Sequence, residues 1–250
     1  MDHGLRPVRH GGDGGAVGRG VLEGAFSLLE ALARVEEGGL SELAAHAGLP
    51  KTTVHRMLDQ LVALDAVQRR SGRYRMGPAI VRLGRAWSPD RPLRTAAVGP
   101  LRHLAAATRA SVSVSVPGTG NPLVVAALPG EVDDVFPLRA GAVLPPGSAA
   151  EVVLAAAGPV REPPEGHGDG SWQRRIEVAR EQGTATDHYE ADVLVACLAA
   201  PVRAPSGKVV AALAVSVLDR RRLATAGEPL RRAARMIGAN LARMPQAWQL

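Results

Sequence analysis

The sequence predicts an α+β fold in two parts, an N-terminal winged helix-turn-helix followed by a larger α+β domain with an antiparallel sheet. Leu40–Val67 has the pattern of two short helices joined by a tight turn. A basic hairpin pattern follows directly, and the rest of the chain mixes strand-like runs with amphipathic helices at both ends. At 250 residues the chain is long enough for two domains with separate cores.

The first part begins with three predicted helices. Apolar residues at helical spacing predict a helix over Val21–Val35. Ser41 is expected to cap a second helix over Glu42–Ala47. Pro50 suits the first turn of a third helix, where its missing N–H has no partner to lose. That third helix is expected to bury four apolar side chains: Val54, Met57, Leu58 and Leu61.

A two-stranded hairpin completes the first part. Val67–Arg70 and Arg73–Met76 are the predicted strands, and Ser71-Gly72 is the turn between them. Three helices followed by a hairpin make a winged helix-turn-helix. A further helix is predicted over Ala79–Trp87, and Ser88–Pro92 is expected to be a linker.

The second part is predicted to open with a helix over Leu93–Thr108 and to close with one over Arg221–Leu241, broken near Gly227-Glu-Pro229. Between them lies a Pro- and Gly-rich loop that is long enough to cover a site and be mobile, Pro159–Gly170. The remaining expected elements are strands at 111–116, 122–128, 193–202 and 209–217 and helices at 151–157 and 172–183.

Positive charge is concentrated in the winged helix-turn-helix. The chain has a formal net charge of +6. Nine cations and three anions lie between Lys51 and Arg91, so this sixth of the chain holds the whole excess. A solvated basic surface is the simpler interpretation, but the overlap with a helix-turn-helix pattern favours double-stranded DNA as the partner.

Several classes of protein are excluded by composition. One cysteine, Cys197, allows no disulfide framework and no cysteine-based zinc site. The seven histidines show no metal-ligand spacing, and we expect no cofactor. No apolar run is long enough to span a membrane, and no signal-peptide core is present, so a soluble cytoplasmic protein is expected. Aromatic residues make up only 3%, too few for single-strand stacking platforms.

The candidate DNA-binding residues lie at the start of the third helix and at the tip of the hairpin. The N-terminal end of such a helix enters the major groove. Arg56 is the best candidate for a guanine contact, with a phosphate clamp or a pairing with the nearby Asp59 or Gln60 as the alternatives. The full predicted set is Lys51, Thr52, Thr53, His55, Arg56, Arg70 and Arg73.

Three blocks of sequence resemble the IclR-type bacterial transcriptional regulators. The first is LPKTTVHRMLDQLVALDAV, the second is Tyr74–Pro78 followed by Val81–Gly84, and the third is ACLAAPVRAPSGKVVAALAVSV. They occur in the family's order and at its spacing. The resemblance extends from Val21 to the C-terminus.

The resemblance implies a winged helix-turn-helix domain, a linker helix and a GAF-like effector-binding domain. Members bind operators as dimers or tetramers and respond to small organic molecules, often carboxylates or aromatic acids. We therefore expect a disordered tail at 1–18, a DNA-binding domain at 19–78, a linker helix at 79–92 and an effector-binding and oligomerisation domain at 93–250. The expected function is a regulator, with repression the better expectation, whose operator affinity depends on a ligand.

The predicted effector-binding residues combine this resemblance with local chemistry: Ser148, Ala149, Ala150, Asp187, Cys197 and Ser216. Backbone N–H groups at Ser148–Ala150 would precede a helix and suit a ligand carboxylate. The family's usual glycine and basic residue are replaced here by Ala150 and Glu151. This acid makes a simple dicarboxylate a poor fit. Ser113 and Ser115 share one face of a strand, which faces either pocket or solvent.

Two alternatives stay open. The altered Ser148–Glu151 stretch is compatible with a C-terminal domain that only oligomerises. A small-molecule enzyme with a DNA-binding appendage is the second alternative, although the sequence has no paired base and nucleophile, metal cluster or phosphate-binding glycine loop.

Overall fold

The computed structural model describes residues 20–86, 91–159, 162–190 and 194–245. The chain divides into two compact units, residues 1–87 and 88–250. The expected tail at 1–18 and most of the expected linker at Ser88–Pro92 lie outside the described residues. Among the described helices, none has both the length and the apolar character needed to cross a bilayer.

The first unit packs three helices against a small antiparallel sheet of order β1-β3-β2. Its core is formed by apolar side chains from all three helices and from the hairpin, among them Leu28, Leu43, Leu58 and Tyr74. Its elements are α1 (Val21–Val35), β1 (Glu37–Gly38), α2 (Leu40–Ala47), α3 (Lys51–Ala63), β2 (Val67–Arg70), β3 (Arg73–Met76) and α4 (Pro78–Ala86).

The hairpin turn has the geometry that its sequence predicts. Ser71 and Gly72 have φ angles of 49° and 78°. Two consecutive positive φ angles match the right-handed twist of the flanking strands, which is why such turns are favoured in tight hairpins. The register then pairs Arg70 with Arg73 and Arg69 with Tyr74 across the two strands.

Helix α3 is joined to the start of α4 by backbone contacts. Asp65 follows α3 with a φ of 56°. Its carbonyl oxygen accepts a hydrogen bond from the Ala79 N–H at 3.1 Å, and the Ala66 carbonyl accepts one from the Gly77 N–H at 2.8 Å. A Cβ at Gly77 would lie 2.1 Å from the Asp65 carbonyl oxygen. Only glycine permits this close approach.

The second unit is built on a five-stranded antiparallel sheet of order β5-β4-β8-β7-β6. Its elements are α5 (Arg91–Thr108), β4 (Ser111–Val116), β5 (Leu123–Leu128), α6 (Ala149–Ala156), α7 (Asp169–Gln182), β6 (Ala185–Glu190), β7 (Leu194–Arg203), β8 (Val209–Val217), a short 3₁₀ helix (Arg220–Arg222) and α8 (Leu223–Ala242).

Helices cover both faces of this sheet. On one face, Val112, Leu213 and Val215 form a core with apolar residues of α5 and α8. On the other face, Ala212 and Ala214 form a core with apolar residues of α6 and α7. Small alanines on this second face leave room beneath α6. The two units together confirm the predicted fold class.

Three details of the predicted secondary structure were wrong. Ser41 does not cap α2, because the helix begins at Leu40 with Gly39 as its N-cap residue, and the Glu42 carboxylate accepts the Gly39 N–H at 3.3 Å. The closing helix is not broken near Gly227, since α8 continues through Pro229 while burying a long apolar stripe. The strand β6 was missed altogether.

Candidate DNA-binding surface and ligand cavity

The start of α3 presents the predicted polar residues to solvent. Lys51, Thr52, His55 and Arg56 are exposed, and Thr53 is half-buried. The opposite side of the helix is anchored in the core, because the four apolar side chains predicted for burial, Val54, Met57, Leu58 and Leu61, are all buried. The exposed side is therefore held in a fixed orientation while its polar groups stay free to meet a partner.

Asp59 pairs with His55 and not with Arg56. The His55 Nδ1 atom lies 3.1 Å from the Asp59 Oδ2 atom, one helical turn away. Within the described part of the chain, Arg56 makes no ion pair or side-chain hydrogen bond. One alternative role for Arg56, an ion pair with Asp59, is thus not seen, and its guanidinium stays available to base edges or phosphates.

The four wing arginines are in different environments. The Arg69 guanidinium lies over the Tyr74 ring, 5.6 Å from its centroid. Arg75 donates two hydrogen bonds to the Gln68 side-chain oxygen, at 3.0 and 3.1 Å. Arg70 has no such contact with any residue that the structure describes. It is exposed beside the turn and is the wing cation best placed to reach a phosphate.

Arg73 is held by the body of the first unit. Its guanidinium donates to the Glu37 carbonyl oxygen at 2.8 Å and pairs with the Glu37 carboxylate at 3.1 Å. The Glu42 carboxylate lies 3.7 Å away. Sequence reasoning placed Arg73 on the DNA, but these contacts fasten the hairpin to β1 and α2. Its guanidinium is therefore engaged within the protein.

All six predicted effector-binding residues surround one cavity in the second unit. The cavity has a volume of about 520 Å³, in the range of sites for small organic ligands. Ser148, Ala149 and Ala150 come from the start of α6, and the other three predicted residues come from neighbouring strands: Asp187, Cys197 and Ser216. Four separate segments of the chain thus converge as the prediction expected.

Asp187 reaches across the cavity to the start of α6. Its Oδ2 atom accepts a hydrogen bond from the Ala149 N–H at 2.5 Å. Apart from the Cys197 thiol, a weak donor, the buried Oδ1 atom has no hydrogen-bond partner among the described residues. Burial is the largest influence on the pKa of Asp187 and raises it, while the Ala149 N–H, Cys197 and Arg175 act in the opposite direction.

The start of α6 is capped by the protein's own side chains. The Glu151 carboxylate accepts the Gly147 N–H at 2.7 Å, and the Ser148 hydroxyl accepts the Glu151 N–H at 3.4 Å. Of the three backbone donors at Ser148–Ala150 that were expected to meet a ligand carboxylate, the Ala149 N–H donates to Asp187 and the Ser148 N–H donates to the Pro145 carbonyl oxygen at 3.3 Å. The structure thus places Ser148–Ala150 at the cavity but gives two of these three donors to acceptors within the protein.

Cys197 and Ser216 form a polar pair on neighbouring strands. The Cys197 Sγ and Ser216 Oγ atoms lie 3.3 Å apart. Burial raises the pKa of the Cys197 thiol, and the nearby Asp187 carboxylate raises it further. Both influences favour the neutral thiol, so Cys197 presents a thiol and not a thiolate to the cavity. Ser113 also lines the cavity, which assigns the serine face of β4 to the α6 and α7 side of the sheet.

Arg175 is the most informative cavity residue that sequence reasoning missed. Its guanidinium lies 5.9 Å from the centroid of the Trp172 ring and donates to the Thr186 carbonyl oxygen at 3.3 Å. Burial lowers the pKa of Arg175, and the Asp187 and Glu151 carboxylates oppose that shift. The sequence contains only one indication of this residue, a cation that follows Trp172 by about one helical turn.

The Pro- and Gly-rich loop contributes His167 to the cavity wall. A Cβ at Gly147 would lie 2.2 Å from the His167 ring, and Gly147 has a φ of 74°. Glycine is therefore required there both for the backbone conformation and for the approach of the imidazole. The His167 ring also makes an edge contact with Trp172, with 6.2 Å between the ring centroids.

Comparison with known proteins identifies both halves of the chain. Residues 21–71 match the family model described as the IclR helix-turn-helix domain, and residues 171–239 match the bacterial transcriptional regulator IclR C-terminal domain. The glycerol operon regulatory protein of Streptomyces coelicolor is 31% identical over 208 residues, which cover 75% of this chain and 82% of that protein. The chain belongs to the IclR family of bacterial transcriptional regulators.

Other IclR proteins agree with this assignment. The glycerol operon regulatory protein of Streptomyces griseus is 30% identical over 211 residues, covering 78% of this chain and 83% of that protein. An IclR homologue from Microbacterium hydrocarbonoxydans, solved in complex with 4-hydroxybenzoate, superimposes with a TM-score of 0.74 at 24% identity and covers 90% of this chain and 100% of its own. The last comparison shows the shared fold.

Membership of the IclR family confirms the resemblance drawn from the three sequence blocks. It makes the chain a DNA-binding transcriptional regulator and removes the enzyme alternative. The match to the C-terminal model begins at residue 171. It includes Asp187, Cys197 and Ser216 but not the earlier Ser148–Glu151 stretch.

Proposed function

We propose that this cytoplasmic regulator represses transcription as a homodimer or homotetramer, and that a small organic effector in the α6 cavity changes its affinity for operator DNA. The observation that carries the proposal is the convergence of six predicted residues on one cavity of about 520 Å³. A domain that served only to oligomerise would have no need for an open site lined by a buried, incompletely paired carboxylate.

On the DNA side, α3 enters the major groove by its N-terminal end. Lys51, Thr52, Thr53, His55 and Arg56 lie on that end or on the exposed side of the helix. Arg56 is the residue that reads bases, because it is exposed and unpaired within the described chain. Arg70 supplies the phosphate contact from the wing, and Arg73 positions the wing.

The first unit also carries the apolar surface that a second copy would cover. On α1, Val21, Leu22 and Phe26 are 59%, 77% and 65% exposed, although α1 is otherwise packed in the core. Val81 and Leu83 on α4 are likewise exposed. Pairing of these helices between two copies would bury this surface. It would also place one α3 helix from each copy at each half-site of the operator.

The comparisons support a small organic effector without naming it. Two relatives bear the name glycerol operon regulatory protein, and one structural neighbour was solved with 4-hydroxybenzoate. We propose that residues 79–92 form the linker between the two domains and that 93–250 form the effector-binding and oligomerisation domain, as the sequence analysis expected.

The test uses the full-length protein. Genomic fragments retained by the purified protein supply the operator, and fluorescence anisotropy on that operator then measures the Kd with and without each member of a small-molecule library. At least one compound is expected to change the Kd by about tenfold or more, which corresponds to about 1.4 kcal/mol of coupling. Sedimentation of the free protein is expected to give a dimer or a tetramer.

A pair of variants ties the response to the cavity. Ala214→Leu places three additional carbon atoms in the cavity and is expected to abolish the ligand response while operator binding persists. Ala239→Leu, at an exposed position of α8, is the matched control. If no compound changed the operator affinity of the wild-type protein, the second domain would be an oligomerisation module only.

A further inference from the structure

The cavity beneath α6 is chemically unusual for a site that would hold an organic acid. Helix N-termini bind carboxylates because their first N–H groups point outward without internal partners. Here the Ala149 N–H is donated to Asp187, and the Gly147 N–H before the helix is donated to Glu151. The protein's own carboxylates therefore already occupy two of the backbone donors that a ligand carboxylate could use at this end of the cavity.

The charges around this end of the cavity also oppose an anion. Asp187 and Glu151 both lie within electrostatic reach of Arg175, and His188 also acts on Asp187, so the cations at this end already face the protein's own carboxylates. A third carboxylate would add a like charge beside Asp187 in a half-buried site, where such repulsion is weakly screened. A cation would in turn meet the Arg175 guanidinium beside the same carboxylate.

What the cavity offers instead is an acceptor and an apolar wall. The Asp187 Oδ1 atom is buried, and apart from the Cys197 thiol, a weak donor that interacts with this carboxylate, it has no hydrogen-bond partner among the described residues. A buried carboxylate oxygen without a stronger donor is costly, so a ligand that brings a donor is favoured. Apolar side chains form much of the remaining lining, with Phe136, Leu138, Leu144 and Val195 among them.

We propose that the effector is an uncharged organic molecule with an apolar body and a hydroxyl group, and that this hydroxyl donates a hydrogen bond to Asp187. The ligand class is thus an alcohol or a phenol, and carboxylates are rejected. This inference rests on the proposed function of the cavity as the effector site. Asp187 acts as the specificity determinant, because its carboxylate accepts a donor and repels an acid.

The test is isothermal titration calorimetry of the full-length protein with skeleton-matched pairs. Benzyl alcohol is compared with benzoate, 2-phenylethanol with phenylacetate, and 1-butanol with butyrate, and benzylammonium is the cationic probe. The alcohol of a pair is expected to bind at least about tenfold more tightly than its carboxylate. Benzylammonium is expected to bind more weakly than benzyl alcohol.

The Asp187→Asn variant tests the assigned residue. Its side-chain oxygen can still accept the Ala149 N–H, but its charge is gone. We expect the preference for alcohol over carboxylate to fall by about tenfold, mainly through tighter carboxylate binding. Asp169→Asn, an exposed residue at the start of α7 outside the cavity, is the matched control and should keep the wild-type preference. Glu151→Gln removes the second carboxylate and should shift the preference in the same direction.

The outcomes separate the two proposals. Tighter binding of carboxylates or of benzylammonium to the wild-type protein would overturn the ligand class and leave the cavity as the effector site. An unchanged preference in Asp187→Asn would overturn the role of that residue. If no member of any pair bound and no library compound altered operator affinity, the proposed effector function would be wrong, and this inference would be wrong with it.

Discussion

The side-chain amide of Asn240 donates a hydrogen bond of 2.9 Å to the carbonyl oxygen of Ala96. In a regular helix that oxygen would be paired with the N–H of residue 100, but Pro100 has none. Asn240 lies on α8 and Ala96 on α5, the two helices that share one face of the large sheet. A donor from a neighbouring helix therefore repairs the gap that the proline creates.

This relationship predicts a measurable coupling between Asn240 and Pro100. Asn240→Ala leaves the buried Ala96 carbonyl unpaired and is expected to lower the free energy of unfolding by about 1–2 kcal/mol. In the double variant, Pro100→Ala supplies the missing helical N–H, so the loss should shrink. Urea unfolding of the wild type, both single variants and the double variant measures the coupling, and strictly additive effects would contradict the assignment.

Arg56→Ala is expected to weaken operator binding by about 1–3 kcal/mol and to relax the preference at one base pair, because Arg56 is exposed on the side of α3 that we propose faces the major groove. Anisotropy with the operator and with single-base variants of it measures both effects. An operator affinity equal to that of the wild type at physiological salt would show that this side of α3 does not face DNA.

Arg70 and Arg73 are expected to respond differently to salt. Removal of a phosphate contact lowers the slope of log K against log salt by about 1. Arg70→Ala should show that change, since Arg70 is exposed beside the turn and has no partner among the described residues. Arg73→Ala should leave the slope nearly unchanged and instead lower the stability of the first unit, because Arg73 pairs with Glu37 and Glu42. The opposite pattern would return Arg73 to the DNA.

Gly77→Ala is expected to destabilise the first unit by about 1–3 kcal/mol or more, since its Cβ would lie 2.1 Å from the Asp65 carbonyl oxygen. Gly84→Ala is the matched control on α4, where a Cβ meets nothing within 4 Å. That substitution should stabilise the helix by about 0.5–1 kcal/mol. Thermal unfolding of the two variants compares them, and equal effects would mean that the backbone near Asp65 can relax.

The raised pKa of Asp187 makes stability depend on pH. Because burial raises this pKa in the folded state, the folded protein binds a proton more tightly than the unfolded chain does. Stability contributed by this residue is thus lost as the pH rises from the ordinary aspartate pKa to the raised value, at no more than about 1.4 kcal/mol per pH unit. Above that window the contribution is constant.

Asp187→Asn lacks this titration. The free energy of unfolding of the variant minus that of the wild type is expected to be larger at pH 7 than at pH 4. Urea unfolding of both proteins at both pH values measures this difference. A gap between the two proteins that stayed constant with pH would show that Asp187 titrates alike in the folded and unfolded chain.

The sequence was most informative where the signals are local. Helical spacing in α1 and α3, the proline before α3 and the Ser71-Gly72 turn each depend on neighbours only a few residues away. The partners of Arg73 could not be predicted in this way, because Glu37 is brought to it by the pairing of β1 with β3.

The cavity shows the same division. Residues taken from the family pattern, such as Asp187 and Cys197, line one cavity, and their role in effector binding stays a prediction. Arg175 was missed because a charged residue in a polar helix has the pattern of an ordinary solvated cation. Strand β6 was missed because ATDHYE shows no alternation of apolar and polar residues. It lies at the edge of the sheet, where pairing with β7 determines its conformation.

The backbone bonds between the end of α3 and the start of α4 have a mechanical consequence. Asp65 and Ala66 accept hydrogen bonds from Ala79 and Gly77, so these bonds hold the start of α4 to the segment that directly follows α3, the proposed recognition helix. A rotation of α4 would therefore also rotate α3. An effector that rotated α4 would therefore change the tilt of α3 in the DNA groove and leave the exposure of its side chains unchanged.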